Sequence, residues 1–275
     1  MEHFLQSLAF LIIAGVAFIG LQRIFASVPE QKQIRPDTKL DLTYWFIESA
    51  VMGLVVKFFI AILVTFILLA NTNWLGGIGI IKVQDIYIQI LIALVVIDFA
   101  GYWIHRMFHI GFGWKLHSIH HSSKELDWIS AVRFHPLETI CIVTLQYIFA
   151  ALFLGYTNPI IGTAMVIRSV YGYFVHANIK WHYGILRYIF ASPVFHRWHH
   201  TMEADGIDKN FAGIFSAWDY MFGTAYLPEK GKTTPHNFGV KYEVGGSMLQ
   251  QFIYPFREKR VLKKRLKAKK LSNKE

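Results

Sequence analysis

The sequence predicts an all-α integral membrane protein with four to five transmembrane helices and a cytoplasmic, histidine-rich helical cap. Three observations lead to this fold class. Of the 275 residues, 54% are hydrophobic and only 17% are charged, whereas charged residues make up about 25% of a typical soluble domain. The apolar residues are gathered in long runs. Nine of the 13 histidines form a pattern: eight recur at short, regular spacings, and His176 stands between the two boxes.

Five apolar runs come close to the roughly 20 residues that a helix needs to cross a bilayer. They cover 4–21, about 48–70, 86–104, 139–156 and 159–177. The first is interpreted as a retained anchor, because no basic segment precedes it and no small-residue cleavage site follows. Only Thr157-Asn158-Pro159 separates the last two runs, which predicts a tight hairpin. Arg168, midway along its second arm, predicts partial shielding from lipid. Full crossing by the first run and by the hairpin is left open.

Basic residues set the predicted orientation. They are concentrated in 22–45 and 105–137, whereas the 71–85 loop contains only Lys82. Since basic loops stay in the cytoplasm, both basic segments and everything after about residue 177 are expected there. Arg257–Glu275 contains ten Lys or Arg and two Glu, which indicates adhesion to anionic lipid headgroups. A nucleic-acid arm is disfavoured, because no aromatic residue follows Phe256 to stack on bases.

The chain is expected to form one membrane-embedded domain over 1–275, because no linker divides it. Its parts are the N-terminal spans in 1–95, a histidine-bearing core in 96–227 and a basic cytoplasmic tail in 228–275.

Two identical histidine boxes dominate the core. His117-x-x-His120-His121 and His196-x-x-His199-His200 share one spacing, and His105 and His109 add an i, i+4 pair. At this histidine content, chance gives about 0.03 such boxes in the chain. On a helix, residues i, i+3 and i+4 lie on one face, so each box is expected to aim its three imidazoles at one point. His176 stands between the boxes.

Eight such nitrogen ligands exceed the capacity of one tetrahedral metal, which favours two ions. Imidazole suits zinc, copper, iron and nickel, and affinity alone does not choose among them. A closed structural zinc site usually includes cysteine, but the only cysteine, Cys141, lies in an apolar run. The sequence also lacks the H-E-x-x-H string of zinc proteases. Two irons would suit oxygen activation, and zinc can replace ferrous iron because it binds such ligands more tightly.

Polar residues are expected to orient the ligand histidines by accepting a hydrogen bond from the ring nitrogen that does not bind the metal. Asp98 lies two helical turns before His105 inside an apolar span, with Tyr102 close by. The further candidates, each equally explained as a helix cap or a solvated loop residue, are Glu138, Asp205, Asp208, Asn210 and Asp219. His135 precedes a proline and is expected off the box-bearing helices, in a supporting role. His182 is an intermediate case, and His3 and His236 are expected to be solvated.

These motifs resemble the fatty acid hydroxylase/sterol desaturase superfamily of integral-membrane non-haem iron oxygenases, over about 95–227. Its bacterial sterol-desaturase-like and alkylglycerol monooxygenase branches are the most similar. The resemblance rests on Asp98-x-x-x-Tyr102-Trp103-x-His105-Arg106-x-x-His109, both boxes, Arg133-Phe134-His135-Pro136-Leu137-Glu138, His176-Ala177-Asn178, Asp208-Lys209-Asn210-Phe211 and Trp218-Asp219.

The resemblance implies two irons held by the nine histidines, O2 as co-substrate, and hydroxylation or desaturation of a lipid such as a sterol, fatty acyl or alkylglycerol chain. Some hydroxylases have a second histidine four residues after the one matching His176. Here that residue is Lys180, so either His182 substitutes or the site uses fewer ligands. A haem, ferredoxin or flavin type protein is expected to supply electrons, because no such domain is appended.

The alternative is a non-catalytic metal-binding membrane protein, a zinc or iron carrier or sensor. Such a protein needs ionisable residues along a path through its spans. Lys57 and Arg168 are cationic and would repel a metal ion, which favours the enzyme.

Overall fold

The computed structural model describes residues 2–69, 85–154, 158–228 and 234–257. Within these ranges the chain is helical and contains no strand, which confirms the all-α fold. The only β-type contact there is a single bridge between Thr201 and Phe238. The helices are α1 Glu2–Phe25, α2 Thr38–Ile47, α3 Gly53–Leu69, α4 Ile86–Phe108, α5 Gly111–His117, α6 Pro136–Leu154, α7 Asn158–His176, α8 Pro193–His199, α9 Ala217–Met221 and α10 Met248–Arg257.

Four helical segments in the described ranges are long and apolar enough to cross a membrane: Leu5–Phe25, Thr38–Ile62, Ile86–Phe108 and Pro136–Leu154. The second begins about ten residues earlier than predicted, because α2 continues through a π-helical segment, Glu48–Met52, into α3. Lys39 and Asp41 interrupt the apolar pattern there. The Asp41 carboxylate is paired with Arg35 at 2.9 Å, so the helix extends through it.

The predicted fifth span, α7, is a helix but does not reach the hydropathy of the other four. Arg168 accounts for part of this difference, and its guanidinium reaches Asp98 in α4 at 3.4 Å. Both α6 and α7 pack against α4. The turn of the predicted hairpin at 155–157, the loop with Lys82 and the basic tail after Arg257 lie outside the described residues.

Helix α4 is the centre of the bundle. It begins at a side-chain cap, where the Asp85 carboxylate accepts hydrogen bonds from the Tyr87 and Ile88 amides at 2.9 and 3.0 Å, satisfying donors that a helix start leaves free. Small and branched residues of α4, α6 and α7 form one buried core, among them Ala93, Ile97, Ala150, Ile161 and Ala164. This packing brings the ends of α4 and α7 and the start of α6 to one end of the bundle.

The cap at this end consists of α5, α8 and short 3-10 turns. Helix α8 begins at Ser192, whose hydroxyl accepts a hydrogen bond from the Phe195 amide at 3.1 Å, and Pro193 occupies its first turn, as is common at helix starts. Arg35 also pairs with Asp127 at 3.1 Å, and this contact joins the segments 22–45 and 105–137. The two basic segments therefore share one end of the bundle, while its cytoplasmic location remains a prediction.

Candidate metal centre

Nine histidines meet in two adjacent groups at this end of the bundle. The five-histidine group contains His105, His109, His117, His121 and His199, and the four-histidine group contains His120, His176, His196 and His200. Within each group, one ring nitrogen of every member lies within 4.8 Å of those of the others. Eight of the nine are buried and His105 is half-buried. The nine are those singled out in the sequence.

Each histidine box is divided between the two groups, which corrects the expectation that a box aims at one point. His117 and His121 enter the five-histidine group, whereas His120 enters the other. The second box divides the opposite way, with His196 and His200 in the four-histidine group and His199 in the five-histidine group. In both boxes the two histidines four residues apart stay in one group and the third faces the other. In the first box, His117 ends α5 and the chain then tightens into a 3-10 turn that contains His120 and His121.

The spacing of the nitrogens fits metal ions. His117 Nε2 lies 3.0 Å from His105 Nε2 and 3.2 Å from His121 Nε2. In the other group, His176 Nε2 lies 3.1 Å from His120 Nε2 and His196 Nε2. Two ligands 90° apart on an ion at about 2.1 Å are about 3.0 Å from each other. His199 Nε2 is buried without a hydrogen-bond partner among the described residues, as expected of a nitrogen that faces a metal.

Fixed acceptors hold the outer nitrogens of the five-histidine group. The Nδ1–H of His117 donates to the Glu138 carboxylate, and that of His109 donates to Asp208 at 3.0 Å. His105 and His199 donate to the backbone carbonyls of Phe211 and Lys209, both at 2.7 Å. Each bond fixes the tautomer in which Nε2 has its lone pair free, the arrangement common around metal-bound histidines. Glu138 and Asp208 were sequence candidates.

The four-histidine group is supported differently. The Nδ1–H of His176 donates to the Gly172 carbonyl of its own helix at 2.7 Å. His120 is stacked on Phe134, with ring centroids 4.2 Å apart and planes 9° apart. Among the described residues, no carboxylate is hydrogen-bonded to a histidine of this group.

Burial keeps the box histidines neutral. It lowers the pKa of His117, His121, His199 and His200 well below the usual value, and the neighbouring imidazoles add to the effect. Water stabilises the imidazolium form and is excluded here. Neutral imidazole is the form that binds a metal.

Asp98 does not take the predicted place beside His105. Its two carboxylate oxygens accept hydrogen bonds from the amides of Ile214 and Phe215 at 3.0 and 2.9 Å. Asp219 similarly accepts from the amides of Phe211 and Ala212, both at 2.8 Å. The two carboxylates thus hold the backbone of 211–215, and Phe211 in that segment presents its carbonyl to His105. Asp98 is therefore linked to His105 through this loop, not by direct contact.

Tyr102 and Asn210 support the same region. The Tyr102 hydroxyl lies 2.8 Å from the Thr224 hydroxyl, and its ring packs against Phe211. The Asn210 amide donates to the carbonyls of Phe195 and Tyr226 at 2.8 and 2.9 Å. Both residues lie one layer outside the histidines.

The other described histidines, His135, His182 and His236, lie outside both groups. His135 Nδ1 accepts from the Leu137 amide, and its Nε2–H donates to the Phe252 carbonyl at 3.0 Å, which links the start of α6 to α10. His182 is exposed, accepts from the Gly184 amide at 3.2 Å and does not substitute for a ligand at position 180. His236 is exposed. The His3 side chain lies outside the described structure.

Several supporting groups could not be found from the sequence. The carbonyls of Phe211, Lys209 and Gly172 belong to the backbone and have no residue signature. The left-handed φ of 58° at both Asp208 and Asn210 shapes the turn that presents the Lys209 carbonyl. Aspartate and asparagine tolerate this conformation better than most residues. The Asp208-Lys209-Asn210 string was therefore the sequence signal from which this turn could have been predicted.

The fold and the site define a class: multi-span helical membrane proteins that gather histidines from several helix ends into a buried cluster. A family model for fatty acid hydroxylases matches residues 90–224. This match covers the histidine-bearing core and confirms the resemblance seen in the motifs. No solved structure matches the chain.

Individual curated proteins are also similar in sequence to this chain. An ornithine lipid hydroxylase of Rhizobium tropici is 30% identical over 172 residues, 62% of this chain and 51% of that protein. The alkylglycerol monooxygenase of Homo sapiens is 33% identical over 129 residues, 46% of this chain and 28% of that protein. Methylsterol monooxygenase 1-2 of Arabidopsis thaliana is 24% identical over 152 residues, 54% and 50% of the two chains. The chain thus spans about half the length of these relatives or less.

Proposed function

We propose that the protein is a membrane-bound, O2-dependent oxidoreductase that uses two iron ions to hydroxylate, or desaturate, a lipid C–H bond. The observation that carries this proposal is the convergence of nine histidines on two points, five at one and four at the other. One ion would be held by the five-histidine group and the other by the four-histidine group. Zinc can replace iron in this nitrogen-only donor set.

Bound iron would supply the oxygen and electron chemistry. The protein holds the ligand side chains in position and excludes bulk water. The Glu138 and Asp208 carboxylates and the Phe211 and Lys209 carbonyls hold the imidazole protons on the outer nitrogens, so the inner nitrogens stay unprotonated. Burial of the box histidines keeps bulk water from the site. Both tasks require rigid support, which the ends of α4, α6 and α7 provide.

The substrate is proposed to be a lipid of the sterol, fatty acyl or alkylglycerol kind. Two features support this choice: the site lies at the end of apolar spans, and the relatives are named as hydroxylases or monooxygenases of ornithine lipid, alkylglycerol and methylsterol. Electrons are proposed to come from a separate protein of the haem, ferredoxin or flavin type. The active site is proposed to face the cytoplasm, with the core domain in 96–227.

Lipidomics of cells with and without the protein tests the activity. We expect one lipid class to gain an oxygen atom, or to lose two hydrogen atoms, only when the protein is present. A variant with His117→Ala serves as the inactive control. If wild-type protein loaded with both metals leaves every lipid class unchanged while it alters cellular zinc or iron, the non-catalytic carrier or sensor is the correct function instead.

A further inference from the structure

Helix α10 presents an apolar stripe that no part of the described chain covers. Leu249, Ile253 and Phe256 follow the i, i+4, i+7 spacing of one helix face. Leu249 is 69% exposed and Phe256 is 62% exposed, while Ile253 is half-buried. The opposite face contains the buried Gln251 and Pro255.

That opposite face is fixed to the protein. Gln251 Oε1 accepts a hydrogen bond from the Tyr44 hydroxyl at 2.8 Å, and the Phe252 carbonyl accepts from His135 at 3.0 Å. These bonds hold α10 in one rotation about its own axis. The apolar stripe therefore cannot turn inward, and the described residues leave most of it uncovered.

The stripe continues onto the end of span α4. The rings of Phe256 and Phe112 lie 6.1 Å apart, and Phe112 is 52% exposed. Ile110 and Met107, which precede Phe112 by two and five residues, are 69% and 67% exposed. Span α4 ends at Phe108. Ile110 and Phe112 follow that end by two and four residues, so they lie within about 7 and 14 Å of it.

A cationic rim borders this surface. The Lys115 ammonium lies 5.9 Å from the centre of the Phe112 ring, and Arg257 is exposed at the end of α10. An apolar stripe with basic neighbours at the level of a span's end is the pattern of a helix that lies in the plane of the membrane interface.

We propose that α10, together with Ile110 and Phe112, lies in the membrane plane and inserts its apolar stripe into the boundary between headgroups and acyl chains. The occupant of the surface is the bilayer, and anionic headgroups fit its basic rim. Through His135, this contact sets the depth of the histidine groups relative to the lipid. The inference rests on α4 as a membrane span and is independent of the proposed reaction.

Site-specific fluorescence tests the insertion in the full-length protein. Because Cys141 is the only cysteine, a Cys141→Ser background permits single labels at Leu249→Cys and Phe256→Cys. Met107→Cys marks the end of the span, and His236→Cys marks an exposed loop. Each variant is labelled with an environment-sensitive dye and placed in phosphatidylcholine vesicles containing phosphatidylglycerol, with or without lipids that bear a shallow spin-label quencher. Only variants with the parent's helix content and elution profile are compared.

At positions 249 and 256 we expect blue-shifted emission and quenching at least half as strong as that at position 107. At position 236 we expect little quenching. Two stripe positions are used so that failure of one variant to fold leaves the other as the test. Quenching at 249 and 256 no greater than at 236, with 107 strongly quenched, would overturn the proposal. A disulfide between two Phe256→Cys chains without lipid quenching would overturn it as well, and would show that a second copy covers the stripe.

Discussion

The two histidine groups differ in what supports them. In the five-histidine group, two carboxylates and two backbone carbonyls accept hydrogen bonds from four of the ligand candidates. In the four-histidine group, His176 is held by its own helix and His120 by a stacked ring. One group is thus fixed mainly by hydrogen bonds from distant segments, and the other more by packing.

This difference determines which group has negative charge next to its histidines. A carboxylate behind an imidazole raises its basicity and fixes its orientation, whereas an aromatic ring fixes orientation alone. The Glu138 and Asp208 carboxylates therefore favour tighter metal binding in the five-histidine group. The four-histidine group, without a hydrogen-bonded carboxylate in the described structure, is expected to release its metal first under a chelator.

The largest effect is expected when one histidine is removed from either group. His117→Ala and His200→Ala should each abolish turnover, because a missing imidazole leaves a metal with an open position. Each variant should lose one of the two metals, from the five-histidine group in the first case and the four-histidine group in the second. Metal analysis of anaerobically purified, iron-loaded protein measures this. His182→Ala and His236→Ala are the matched controls and should retain both metals. Full turnover in the box variants would place the site elsewhere.

A smaller effect is expected from Glu138→Gln. The amide oxygen can still accept a hydrogen bond from His117 but lacks the negative charge, so metal affinity at the five-histidine group should fall by roughly 10–100-fold. Competition with a chelator measures it. Phe134→Leu is the paired variant and should weaken mainly the four-histidine group, because this ring lies 4.2 Å from that of His120 but 6.3 Å from that of His117. Equal losses from both groups in Glu138→Gln would show that the groups do not bind independently.

Asp98→Asn should act more weakly, through the loop 211–215. The amide group can accept only one of the two backbone hydrogen bonds, and Arg168 loses its counter-charge. We expect about a tenfold loss of metal affinity at the five-histidine group, the lower end of such indirect effects. Asp85→Asn, at the opposite end of α4, keeps its capping oxygen and is the control. Unchanged affinity in Asp98→Asn would mean that the Phe211 carbonyl stays in place without this carboxylate.

The smallest expected effect is a graded pH dependence of the metal-free protein. Burial lowers the pKa of His121, His199 and His200 in the folded state, while the unfolded chain titrates near 6.5. As the pH falls below about 6.5, the unfolded state takes up more protons, so stability decreases. Thermal unfolding with a chelator at several pH values between 7.5 and 5 should show a falling Tm, with a shallower fall in His200→Ala. A constant Tm would contradict neutral burial of these rings.

The sequence by itself determined which residues form the spans and which histidines meet. Apolar run length and the i, i+4 spacing are local properties, and the helix converts them directly into a buried stretch or a shared face. For this reason four of the runs coincide with apolar helices, and all nine selected histidines lie in the two groups.

Only the tertiary structure decided how the histidines are shared and supported. The division of each box depends on where a helix ends against its neighbours. The acceptor for His105 is the carbonyl of Phe211, 106 residues away, and any residue offers the same carbonyl. Asp98 was placed on the correct face, but its partners at 214 and 215 come from another segment.

The exposure of the α10 stripe likewise follows from the hydrogen bonds of Gln251 and Phe252 to distant side chains. It could not be predicted from the sequence, because packing between remote segments leaves no local periodic signal.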